Sequence, residues 1–167
     1  PDLYRQLREN PDQLPLAVEE MLRWTCPLHY FRRTATCDTE IRGQKVKAGD
    51  RVVMLYSSAN FDEEVFDNPL EFDITREHNP HLAFGHGIHL CLGANLARLE
   101  AKIFFEEFFR HFDKVESNAE PVFIRSNMIH GFKDMETGEI QIKITQGKDQ
   151  IVFEYRDTGH GMDESQR

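Results

Sequence analysis

Hydrophobic positions fall into distinct textures along the chain. In DLYRQLRE (2–9) and DQLPLAVEEMLRW (12–24) apolar residues recur at helical spacing. In the second stretch Leu16, Val18, Met21, Leu22 and Trp24 supply the apolar side, with Asp12 placed to cap it. Two helices are predicted there. From Phe31 to Leu55 the pattern changes to the short β-like runs FRRTAT, TEIRG and RVVML, punctuated by Gly43, Gly49 and Asp50, which predicts a small antiparallel sheet. A long irregular path follows from residue 57 to 87, with a brief helix at 57–60 and prolines at 69 and 80. Its aromatic residues Phe61, Phe66 and Phe72 favour an ordered, functional loop. The strongest helical pattern is Leu92–Phe112, where Leu96, Leu99, Ile103, Phe104, Phe108 and Phe112 predict one buried side. Finally, EIQIKIT and QIVFEYRD, separated by QGKD, alternate as the strands of a hairpin. The expected fold class is α+β, mainly α, with a β-hairpin tail.

Composition narrows the function classes. At 167 residues, 40% hydrophobic and 29% charged, the chain has the make-up of a globular protein with a core. A net charge of −9 without a basic stripe excludes nucleic acid as the expected partner. Small molecules or basic protein surfaces suit it better. Cys26, Cys37 and Cys91 are odd in number and form no CxxC, so a reduced cytoplasmic setting is expected rather than a disulfide framework. No apolar run is long enough for a membrane span, and no signal-peptide pattern is present. The first residue is not Met, and the opening residues read as the end of one helix and the approach to another, so the expectation is a fragment.

Candidate chemistry concentrates in HLAFGHGIHLCLG, residues 81–93. A lone cysteine ordinarily packs as a small hydrophobe. Cys91, however, lies at the predicted start of the long helix, where unpaired N–H groups favour a thiolate. Gly85, Gly87 and Gly93 let the chain turn sharply and bring bare backbone near a flat ligand. Two ligands suit such a place. Zinc draws on His78, His81, His86, His89 and Cys91, and haem draws on an axial thiolate.

The stretch FGHGIHLCLG resembles the haem-ligand signature F-x-x-G-x-[HR]-x-C-x-G of cytochrome P450 monooxygenases, with Phe84, Gly87, His89, Cys91 and Gly93 in register. Upstream, Glu20-Met21-Leu22-Arg23 resembles that family's E-x-x-R pair, and Arg76 in FDITR resembles its meander arginine. Taken alone, Glu20 and Arg23 are an ordinary i,i+3 surface pair; the resemblance implies a buried structural network. FRRTATCDTEIRGQKVKAGDRVV resembles the sheet beside the haem, which implies Arg33 and His89 as propionate partners, while Arg32 matches no motif and reads as solvated. Phe84 is implied to pack near the thiolate, a core phenylalanine being the plain alternative.

The resemblance covers residues 1–129 and implies the C-terminal part of that fold: helices, small antiparallel sheet, meander, cysteine loop and long helix. It implies haem b with Cys91 as iron ligand and Gly85 in the cofactor cradle. It also implies a ferredoxin or flavoprotein electron donor, and insertion of one oxygen atom of O2 into a small hydrophobic substrate such as a sterol side chain or lipid. The style is that of bacterial members without a membrane anchor. The family's distal helix, with its acid–alcohol pair, has no counterpart here, so no catalytic residue is assigned.

Residues 130–167 resemble something else, the ATP-binding domain of sensor histidine kinases, whose D-x-G-x-G motif corresponds to Asp157, Gly159 and Gly161. That resemblance implies an aspartate reading adenine and glycines opening an ATP lid. The position expected to hold a magnesium-coordinating asparagine is Ser126. The expectation is a join of two unrelated fragments near residue 130, with an ATP-binding fragment or a non-functional remnant as alternative functions.

Overall fold

The structure, a computed structural model, describes residues 2–112, 122–134, 140–146 and 151–157. Helix α1 (Asp2–Glu9) is followed by a 3-10 turn at Pro11–Gln13 and helix α2 (Leu14–Thr25). Asp12 lies inside that turn, and the residue before α2 is Gln13, which makes no side-chain cap. The turn itself delivers the chain into the helix, with Pro15 in the first turn where its missing N–H costs nothing. At the far end Cys26 adopts a left-handed conformation, φ 35°, and donates its N–H to the Leu22 carbonyl at 3.0 Å. Pro27 then prevents continuation.

The predicted single sheet separates into two antiparallel pairs. Strand β1 (Tyr30–Thr34) pairs with β4 (Arg51–Leu55), and between them β2 (Thr39–Ile41) pairs with β3 (Gln44–Val46). The β2–β3 turn is Arg42-Gly43, both at positive φ, 45° and 80°, the two-residue geometry that suits the twist of a hairpin. Helix α3 (Tyr56–Ala59) leads into turns that fold around α2, and a 3-10 turn at Gly87–His89 precedes helix α4 (Ala94–His111). The long irregular segment is therefore ordered by what it wraps.

The core of this part joins Leu7, Leu14, Ala17, Val18, Ile74 and Phe109, flanked by Tyr4, Met21, Leu22, Phe72, Ala101, Phe105 and Phe108. α2 thus buries Leu14, Ala17 and Val18, whereas the expected Trp24 stays partly exposed against Phe61 and Phe72. α4 is also turned differently from the prediction. Leu96, Leu99, Ile103 and Phe104 are exposed, Phe108 packs against the core as expected, and the buried positions are Ala94 and Phe109. The helix carries apolar side chains on two faces, so spacing alone could not choose the covered one. Among the described residues no helix is long and apolar enough to cross a membrane.

The structure divides into two compact units, Pro1–Lys114 with Arg125–Gly131, and Val115–Ile124 with Phe132–Arg167. The first includes an antiparallel bridge between Leu28 and Ile129. In the second, β5 (Val122–Phe123) pairs with β6 (Phe132–Asp134), and β7 (Ile140–Gln146) pairs with β8 (Ile151–Asp157). The β7–β8 pair is the expected hairpin; β5 and β6 are too short to register as a period.

Candidate functional site

Glu20, Arg23 and Arg76 meet in the interior, with relative exposures of 0%, 0% and 9%. Arg23 spends all five of its N–H donors: Nε and Nη2 on the two Glu20 oxygens at 2.8 and 2.7 Å, Nη1 on the carbonyls of Asn60 and Pro69 at 2.8 and 2.9 Å, and Nη2 again on the Glu71 carbonyl at 3.1 Å. Arg76 donates Nε to Glu20 at 3.2 Å and Nη1 to the Asp67 carbonyl at 2.7 Å. Glu20 also accepts the Asp73 N–H at 2.9 Å and the Asn79 amide at 3.0 Å. Burial alone would raise the Glu20 carboxyl, but the bonds from Arg23 and Asp73 and the charges of both arginines outweigh it and hold it below its ordinary value. Phe61 and Phe66 close over the Arg23 guanidinium, at 5.1 and 5.3 Å from its central carbon. The network ties α2 to the irregular segment 60–79.

The segment carrying Cys91 is tightly turned. Gly85 donates to the Leu82 carbonyl at 2.9 Å, Leu90 to the Gly87 carbonyl at 3.0 Å, and Cys91 to the Phe84 carbonyl at 2.8 Å. Gly85 and Gly87 sit at φ 74° and 66°, a region L-residues avoid. At Gly85 a side chain would also meet the His89 carbonyl at 3.2 Å and the Tyr56 hydroxyl at 3.4 Å, so α3 reaches this loop through Tyr56, its first residue. Gly93 differs, since its φ is −87° and its lack of a side chain instead leaves open the flank of the Cys91 sulfur, 4.0 Å from where a Cβ would stand. Cys91 is three residues ahead of α4 rather than on its first turn, and its carbonyl accepts the Ala94 N–H at 3.2 Å.

Cys91 is exposed, and the neighbouring Ile88, Leu90 and Leu92 present apolar side chains to the outside. His89 is exposed in the 3-10 turn, and Arg33 is half-buried on β1 opposite Val52, its guanidinium bonded to the Arg32 carbonyl at 3.1 Å. Among the described residues neither has a carboxylate partner, and no hydrogen bond joins them. A soft sulfur ligand without a hydrogen-bond partner, apolar side chains beside it and two nitrogen donors without acids are a donor set that fits haem with its propionates. The five clustered histidine and cysteine residues do not converge: among the described residues no three potential ligands meet as a metal site. His81 is occupied, its Nε2 at 3.0 Å from Glu19 and its Nδ1 accepting the Ala83 N–H at 3.2 Å. In the tail, Asp157 ends β8, and Gly159 and Gly161 lie outside the described residues.

Sequence reasoning missed several residues. Asn60, fully buried, donates to the Arg23 carbonyl at 3.1 Å and accepts the Leu82 N–H at 2.7 Å, linking the E-x-x-R helix to the entry of the cysteine loop. Glu19 accepts both Nε and Nη2 of Arg98, at 2.6 and 2.9 Å, and Arg98 lies 4.8 Å over the Phe84 ring. Neither announces itself in the chain, because their partners are 22 to 79 residues away.

Residues 8–132 match the cytochrome P450 family. The chain is 50% identical over 139 residues to cytochrome P450-terp of a Pseudomonas species, covering 77% of this chain and 32% of that protein. It is 45% identical over 137 residues to a steroid C26-monooxygenase of Rhodococcus jostii, covering 77% and 29%. Among solved structures it superposes on the versatile cytochrome P450 enzyme CYP109B1 from Bacillus subtilis with a TM-score of 0.76 and 48% identity, over 80% of this chain and 36% of that one. The chain thus spans about a third of the length of these relatives. With the family match running from α1 through the buried Glu20–Arg23–Arg76 network and the Cys91 loop, the chain belongs to the cytochrome P450 family.

Proposed function

We propose that this chain is the thiolate-bearing part of a haem monooxygenase that places one oxygen atom of O2 into a small hydrophobic substrate. The observation that carries the reading is the Cys91 loop, in which the Phe84 carbonyl pins the Cys91 amide while the sulfur stays exposed and unpartnered among the described residues. In this proposal Cys91 holds the iron, Arg33 and His89 bind the propionates, and Phe84, Gly85, Gly87 and Gly93 line the cofactor. Glu20, Arg23 and Arg76 hold the surrounding frame. A thiolate-ligated haem supplies the electron-rich iron that favours O–O cleavage. This chain's own part is to hold that ligand and orient the cofactor, with no catalytic residue of its own.

A sterol or lipid substrate is supported by the relative named as a steroid C26-monooxygenase. A ferredoxin or flavoprotein is the proposed electron donor, and a bacterial cytoplasm the proposed setting, in line with the bacterial sources of these relatives. Residues 130–167 are proposed as a separate part from 1–129. The nucleotide reading of Asp157, Gly159 and Gly161 rests on the D-x-G-x-G resemblance alone.

The test is the absorption spectrum of the chain reconstituted with haemin, reduced and exposed to carbon monoxide. A strongly red-shifted Soret band, absent in Cys91→Ser, is the expected result. A band at the imidazole position, or one unchanged by Cys91→Ser, would overturn the ligand assignment.

A further inference from the structure

Two adjacent glutamates on α2 divide the work of holding this site. Glu20 faces the irregular segment, taking bonds from Arg23, Asp73, Arg76 and Asn79. Glu19 faces the cysteine loop. Its Oε1 accepts Arg98 Nε at 2.6 Å, and its Oε2 accepts Arg98 Nη2 at 2.9 Å and lies 3.0 Å from His81 Nε2. Because His81 Nδ1 accepts the Ala83 N–H, the ring carries its proton on Nε2 and donates it to Glu19. The His81 side chain is only 2% exposed, which separates this cluster from an ordinary surface ion pair.

The two partners bracket the loop, His81 lying ten residues before Cys91 and Arg98 seven after it. Both also bear on Phe84: the Arg98 guanidinium stands 4.8 Å over its ring, and the His81 ring is 6.2 Å from it. The Phe84 carbonyl in turn accepts the Cys91 N–H at 2.8 Å. We propose that Glu19 is a positioning residue for the Cys91 ligand, clamping the entry and exit of its loop onto α2 and holding Phe84 against the Cys91 backbone. The role rests on Cys91 being the haem ligand, and it makes Arg98 the intermediary that connects α2 to Phe84, whose carbonyl holds the Cys91 amide.

The test uses the full chain with haemin and two readouts. In Glu19→Gln, which keeps the shape and removes the charge, haemin affinity is expected to fall about tenfold, the usual consequence of losing a partner behind a metal ligand. The reduced carbon monoxide complex is expected to move from the thiolate band towards the neutral-thiol band. In the haem-free chain, hydrogen exchange at the Cys91 amide is expected to quicken while that at the Asp73 amide, held by Glu20, does not. Glu19→Asp restores part of each effect, and Glu107→Gln, whose partners are Arg110 and His111, changes none. Unchanged affinity and band ratio in Glu19→Gln, against a wild-type thiolate band, would overturn the proposal. If the wild-type chain gives no thiolate band, the ligand reading fails by itself. The clamp is then decided by amide exchange, equal rates at Cys91 overturning it and selective quickening sustaining it. Should Glu19→Gln not fold, Arg98→Lys, which leaves the Glu19 charge and the His81 bond in place, is held to the same outcomes.

Discussion

Glu20 and Arg23, neither with any exposed surface, face each other one helical turn apart through two parallel hydrogen bonds of 2.7 and 2.8 Å. Truncating Glu20 leaves the Arg23 and Arg76 charges without their shared carboxylate, and truncating Arg23 leaves Glu20 with only the longer 3.2 Å contact to Arg76, a loss on the order of 3–5 kcal/mol. Arg23→Ala and Glu20→Ala are therefore expected to lower stability by that amount in denaturant unfolding. Arg23→Lys is expected to be nearly as damaging. A lysine keeps the charge but cannot span the Glu20 carboxylate and the carbonyls of Asn60, Pro69 and Glu71.

Acid should weaken the Glu19 cluster in a defined window. Burial by itself would raise the Glu19 carboxyl, yet hydrogen bonds from His81 and Arg98 and the Arg98 charge bring it down from 4.5 to about 2. The folded state thus binds this proton more weakly than the unfolded state. The stabilisation is fully present above the unfolded value of 4.5 and is lost as pH falls towards about 2. Unfolding midpoints measured across that range are expected to decline more steeply for the wild type than for Glu19→Gln. Equal slopes would contradict the assignment.

Local sequence made the elements legible and left the tertiary choices hidden. Gly43 marks its own hairpin, because a two-residue turn at positive φ has a compositional cost that shows in the chain. The spacing of Glu20 and Arg23 is helical whether the pair is buried or solvated; only the resemblance to a family motif spoke for burial. Asn60, Glu19 and Arg98 were silent because their roles depend on partners that folding brings from distant segments. Asp12 illustrates the converse error. A residue with good capping chemistry was bypassed because Pro11–Gln13 already turns the chain into α2.

Thiol reactivity should separate the three cysteines. Cys26 is buried at the end of α2, its Sγ 3.3 Å from the Leu28 carbonyl, and burial pushes its thiol up to about 11. Cys37 and Cys91 are exposed. Since the thiolate is the reactive species, iodoacetamide at pH 8 is expected to modify Cys37 and Cys91 in the native chain and to spare Cys26 until denaturant is added. Peptide mass spectrometry reads the outcome, and rapid native labelling at Cys26 would contradict its burial.

Glycine substitutions should distinguish conformational strain from steric closure. Gly43→Ala meets nothing within 4 Å and carries only the left-handed penalty, about 1 kcal/mol. Gly85→Ala carries that penalty and also brings a methyl to 3.2 Å from the His89 carbonyl and 3.4 Å from the Tyr56 hydroxyl, in a loop already fixed by the Phe84–Cys91 bond. Chemical unfolding is expected to show a larger loss for Gly85→Ala. The same variant should disturb haemin binding, whereas Gly43→Ala, in the β2–β3 turn, should not.

The two apolar faces of α4 should respond oppositely to substitution. Phe109 is buried in the core against the Tyr4 ring at 5.1 Å, and Phe109→Ala is expected to cost roughly 3–5 kcal/mol through lost burial and a residual cavity. Leu96, Leu99 and Ile103 lie on the other face and are 59%, 53% and 43% exposed, so glutamine at each should change stability by no more than about 0.5 kcal/mol. What those three substitutions should alter is association, because a contiguous exposed apolar stripe promotes contact between molecules. Sedimentation velocity of the triple variant is expected to show less self-association than the wild type at equal concentration. A large stability loss in the triple variant, with association unchanged, would mean that this face is covered in solution and that the apolar pattern of the helix had marked its buried side after all.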